Sequence, residues 1–101
     1  MNNIYMLKGK TPVECEDGLE WNKQLGSTDR RVGNYIKGKV IVSTVFLGID
    51  HNFSNQGKPI LFETMVFGGE FDGEQERYCT WEEAEKGHKE MVEKVNKKEK
   101  L

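Results

Sequence analysis

Residues 40–53 read VIVSTVFLGIDHNF, and residues 59–69 answer with PILFETMVFGG. Both stretches are rich in β-branched and aromatic residues, which fit a pleated surface. Neither shows the 3.6-residue spacing of an amphipathic helix. The pattern predicts two strands, Val40 to Ile49 and Ile60 to Phe67, joined by a polar loop over His51 to Lys58. Side chains alternate along a strand, so Val40, Val42, Thr44 and Phe46 share one face and Ile41, Ser43, Val45, Leu47 and Ile49 the other. Both faces are largely apolar, which places the strand centrally and predicts cover on both sides. Asp50 and His51 close the first run, and Glu63 interrupts the second.

Working outward, Arg30 to Ile36 reads as a strand and Lys37-Gly38-Lys39 as a tight turn into Val40. Downstream, Phe71-Asp72-Gly73-Glu74 gives a second hairpin turn and Gln75 to Cys79 a short returning strand. Near the start, Ile4 to Leu7 is a brief apolar run, and Thr11 to Cys15 extends it past a turn at Gly9. Pro12 keeps that piece at a sheet edge or out of the ladder. Asp17 is placed to cap a short helix through Leu25, with Leu19, Trp21 and Leu25 as its apolar residues.

The strongest local signal lies at the other end. Thr80-Trp81-Glu82-Glu83 is a capping box, in which hydroxyl and carboxylate satisfy free amides at a helix start. Trp81, Ala84, His88, Met91, Val92 and Val95 then recur on one helical face. Glu82–Lys86, Glu85–Lys89, Glu90–Lys94 and Glu93–Lys97 are i,i+4 pairs in the favourable order, each worth ~0.2–0.5 kcal/mol. Such a helix must lie on an apolar surface. The fold class expected is α+β: an antiparallel four- or five-stranded meander with a C-terminal amphipathic helix packed on one face. The second apolar face then needs a partner, and a homo-oligomer supplies one.

At 101 residues the chain is expected to form a single domain, with 97–101 as a charged tail. A formal net charge of −2 argues against generic duplex nucleic-acid binding. Two cysteines, with no C-x-x-C, make no disulfide framework. No apolar run approaches the ~20 residues of a membrane span, and MNNIYMLKGK has no signal-peptide pattern. The expectation is a soluble cytoplasmic protein with reduced thiols and no cofactor motif.

Chemically suggestive residues are few. Glu63 shares a face with Leu61, Met65 and Phe67, where a bare carboxylate is unfavourable. It serves either as an acid in a cleft, or as the partner of Arg30, Arg31 or Arg77 on a neighbouring strand, or it is simply turned to solvent. Asp50-His51 could supply acid–base chemistry. A simple hairpin connection would put Glu63 roughly 13 Å from Asp50, at ~3.3 Å per residue, too far for a dyad. A zinc site drawn from Cys15, His51, Cys79 and His88 matches no ligand spacing. Arg30, Arg31 and Arg77, with Ser43 or Thr44 hydroxyls, would suit phosphate oxygens, and Tyr78 could stack on a base. The alternative is solvated, charged strand edges. Gly48, Gly68 and Gly69 read as bulge or turn residues, because no phosphate-loop pattern accompanies them.

STVFLGIDHNF, PILFETMVFGG and RYCTWEEAEKGHKEMV, together with Trp21 and Arg30-Arg31-Val32, resemble a family of small, largely uncharacterised phage and prophage proteins. The resemblance implies a host-cell setting and binding of a host factor, a nucleotide signal or another phage component. It brings no catalytic residues. Cys79 departs from it, since the relatives commonly carry serine there, which counts against a role needing a thiol. The leading expectation is therefore a non-catalytic binding module for a host protein or small phosphorylated ligand, regulatory or counter-defensive. The alternatives are a small hydrolase or nuclease using Glu63 with His51 or Asp50, and an assembly accessory.

Overall fold

Val40–Phe46 (β4) runs between Arg31–Lys37 (β3) and Phe62–Phe67 (β5), and Gln75–Tyr78 (β6) completes a four-stranded antiparallel sheet in simple meander order. The computed structural model describes residues 3–27, 29–54 and 56–99. Two further strands, Tyr5–Lys8 (β1) and Thr11–Glu14 (β2), form a separate hairpin rather than a fifth strand of the meander. Helix α1 spans Gly18–Ser27 and α2 spans Trp81–Glu99. Among the described residues no helix is long and apolar enough to cross a membrane.

Register fixes the two faces. Val42 pairs with Val66, Thr44 with Thr64 and Phe46 with Phe62, and these six side chains are at most 1% exposed. Helix α2 covers them with Ala84, His88, Met91 and Val95, spaced one helical face apart. Two apolar clusters result. Phe46, Leu61, Phe62 and Ala84 join Leu7 at one end, and Val40, Val42, Val66, Met91 and Val95 fill the other. Between the clusters lies a polar layer of Thr44, Thr64 and His88.

The expectation of cover on both sides holds within the chain for one face only. Ile41, Ser43 and Val45 of β4, paired to Phe67, Met65 and Glu63 of β5, point away from α2 and stay partly accessible. A single helix cannot cover both faces of a sheet, and no other described element crosses the second one.

β4 also ends at Phe46, three residues short of the expected Ile49. The chain bends at Gly48, whose φ of 80° suits glycine. A Cβ there would lie 3.1 Å from Leu25. Trp21 Nε1 donates to the Gly48 carbonyl at 3.1 Å, so α1 is seated on this bend. Pairing with the next strand persists irregularly, through Leu47 N to the Leu61 carbonyl and His51 N to the Ile60 carbonyl.

Pro12 lies inside the β1–β2 ladder, opposite Leu7. Both backbone groups of Leu7 turn outward to the Gln24 amide, at 3.1 and 2.9 Å. The pair is thus of the non-hydrogen-bonded type, and the missing proline N–H removes no ladder bond. The helix starts follow their caps. Asp17 Oδ1 accepts from Leu19 N, and Thr80 and Glu83 exchange both capping-box bonds at 3.1 Å.

Candidate functional site

The open sheet face holds four of the nine candidate residues singled out in the sequence: Arg31, Ser43, Glu63 and Arg77. Arg31 lies opposite Val45, which pairs with Glu63, which in turn pairs with Arg77. One end of the face is therefore charged. Glu63 accepts from Arg77 Nε at 3.0 Å, choosing one of the three arginines its position allowed. Arg31 is engaged by Asp29 at 3.2 Å, and the Arg31 backbone amide holds the Asp29 carboxyl below its ordinary range. The other end is apolar: Ile36, Ile41 and Phe67 stand side by side, with Ile36 63% and Phe67 50% exposed.

The phosphate patch drawn from sequence is not assembled as one cluster. Arg31, Ser43 and Arg77 share the open face, whereas Thr44 and Tyr78 turn toward α2. Thr44 is fully buried and cannot touch a ligand. Arg30 precedes β3 and lends its carbonyl to the Phe46 amide at 2.8 Å. Each of the two guanidiniums on the face already has its own carboxylate.

Asp50, His51 and Glu63 belong to three separate networks. The Asp50 carboxylate accepts from the amides of Asn52 at 2.8 Å and Ile60 at 2.9 Å, closing the loop after β4. That is the turn-forming use of Asp. His51 Nδ1 sits 2.8 Å from the Ile49 carbonyl, with its ring against Phe53. Among the described residues no group of three His, Cys, Asp or Glu side chains is placed to hold a metal ion. Burial pushes the Cys79 thiol up, leaving it protonated and weakly nucleophilic at neutral pH.

The arrangement that sequence reasoning missed runs beneath α2. Tyr78 donates to Thr64 Oγ1 at 3.2 Å, Thr64 meets Thr44 at 2.5 Å, and Thr44 meets His88 Nδ1 at 2.8 Å. The chain of hydroxyls crosses β6, β5 and β4 and ends on the helix. Two glycines make room for it. A Cβ at Gly33 would lie 2.7 Å from the His88 ring, and one at Gly87 would overlap the Tyr78 hydroxyl. Burial lowers the His88 pKa and raises that of Tyr78. No local sequence signal gave it, because it depends on the register that sets Thr44 beside Thr64 on the helix side, where His88 on the inner face of α2 meets them.

Open grooves flank α2 on both sides of this layer. One of about 320 Å³ lies against Tyr78, Glu83, Lys86 and Gly87. One of about 380 Å³ lies between Asn34–Tyr35 and His88, Lys89, Val92 and Glu93. No protein-family model, curated protein or solved structure matches the chain.

Proposed function

We propose that the chain is a non-catalytic binding module of phage or prophage origin that captures a host protein on the open face of its four-stranded sheet. The proposed setting is the host cytoplasm, and the proposed role is regulatory or counter-defensive. One observation carries this reading: exposed Ile36 and Phe67 flank half-buried Ile41 in an apolar row beside a self-neutralised charged end. An apolar patch rimmed by polar groups favours a protein surface. A phosphorylated ligand is less well served, since Arg31 and Arg77 are already engaged by Asp29 and Glu63. Hydrolysis is less well served too, because Glu63, Asp50 and His51 are each occupied in a different network.

The test compares wild type with Ile36→Asp/Phe67→Asp, reading mass by light scattering and stoichiometric retention of one identified host protein. The expected result is a wild type that holds the partner and a folded double variant that releases it. A dimer of wild type broken by the same substitutions would assign the face to a second copy instead. Retention of the partner by the double variant would refute the assignment.

A further inference from the structure

We propose that the groove between the β3 edge and α2 binds a flat, neutral, largely apolar ring bearing a hydrogen-bond acceptor, of nucleobase size, through the Nε2–H of His88. This site lies on the helix side of the sheet and does not depend on the open face. Its volume of about 380 Å³ lies within the ~300–1,000 Å³ of small-ligand sites.

Proton placement along the buried chain decides what His88 presents. Tyr78 donates to Thr64. The Thr64–Thr44 and Thr44–His88 contacts carry no direction of their own, but with Thr64 accepting from Tyr78 its own proton is satisfied by Thr44, whose proton then falls to His88 Nδ1. Each hydroxyl has one proton to give, so this direction satisfies every member. Nδ1 is therefore the acceptor, and the neutral imidazole carries its proton on Nε2. Among the described residues Nε2 has no protein partner, and it is not sealed from solvent.

The other wall is equally held. The Tyr35 hydroxyl donates to Asn96 Oδ1 at 2.9 Å, which fixes the ring beside Val92. A tyrosine face and an aliphatic side chain favour a flat ring. Lys89 and Glu93 on the rim oppose each other in sign, so an anion gains no net attraction. Buried hydroxyls and a half-buried imidazole stabilise a fold no better than aliphatic residues of similar size. What the layer provides is a single orientation of one imidazole edge at the surface.

The probes are adenosine, cytidine and inorganic phosphate, added to ¹⁵N-labelled protein at neutral pH while the imidazole nitrogens are observed by NMR. His88→Gln assigns the His88 signals against those of His51. The expected result is a proton on Nε2 in the free protein and a saturable Nε2 shift with a nucleoside. Nδ1 should barely move, and phosphate should have no effect. Val92→Phe, which fills the groove without touching the hydroxyl chain, should weaken the nucleoside by roughly tenfold or more. Should that variant fail to fold, the wild-type titration decides alone. A proton found on Nδ1, no Nε2 response to millimolar nucleoside, an equal response in Val92→Phe, or a shift with phosphate would each overturn the proposal.

Discussion

His88 is a half-buried titratable group on the inner face of α2, and its burial has a readable consequence. Its folded pKa lies below the ordinary 6.5 because desolvation disfavours the imidazolium. Above that ordinary value both folded and unfolded chains are neutral, and the group has no effect on stability. As pH falls through it, the unfolded chain takes up a proton that the folded chain refuses, so stability declines until the folded pKa is reached. The melting temperature of wild type should therefore fall more than that of His88→Gln between about pH 7 and pH 5. Equal slopes would remove the buried imidazole from the account. Glu63 behaves differently, because its partner Arg77 is 38% exposed. Such pairs contribute ~0–1 kcal/mol. Glu63→Gln is expected to shift the urea midpoint only slightly, and it separates binding from hydrolysis cleanly: a lost activity in a folded variant would favour the enzyme.

At the scale of elements, two helical glycines are expected to respond in opposite directions. Gly26 in α1 has open space where a Cβ would stand, so Gly26→Ala should stabilise by ~0.5–1 kcal/mol through helix propensity. Gly87 in α2 gains the same propensity but would meet the Tyr78 ring and hydroxyl. Gly87→Ala should destabilise by ~1–3 kcal/mol, as overpacking does, and Tyr78→Phe should relieve only part of that. Denaturant unfolding of the four proteins distinguishes these signs. The charged surface of α2 also departs from its i,i+4 pattern: Lys94 is ion-paired with Glu74 on the turn before β6 and lies 5.0 Å over the Phe71 ring. A longer-range carboxylate and an aromatic face hold it together, where the helix offered only Glu90.

For the molecule as a whole, a two-layer architecture with one covering helix leaves one sheet face to solvent. Ile36 and Phe67 are both at least half exposed, so charging them should leave unfolding within ~0.5 kcal/mol of wild type, measured by urea titration. A larger loss would mean the row packs within the chain. The N-terminal hairpin and α1 are joined to this body at several points. These include the Ile4–Ile49 bridge, the Tyr5 amide on the Gly48 carbonyl, the Asp50 amide on the Asn3 carbonyl, Trp21 on the Gly48 carbonyl, Lys10 over the Trp81 ring, and Leu7 in the core. The Gly48 carbonyl, which accepts from both Tyr5 and Trp21, is thus a shared anchor between the two parts.

Local chemistry was legible because local rules decide it. The capping box at Thr80–Glu83, the Asp17 cap, the turns at Gly38 and Gly73 and the inner face of α2 all follow from short-range geometry. The meander and the placement of α2 followed from apolar runs that had to be buried. Sequence alone left Glu63 to a cleft, an arginine partner or solvent and could not name Arg77, since register depends on the β4–β5–β6 pairing as a unit. Nor could it tell that Thr44 would leave the surface while Ser43 stayed on the open face. That choice belongs to tertiary structure, because hydroxyls tolerate burial only when another strand and a helix bring them acceptors. Thr64 and His88 do so here.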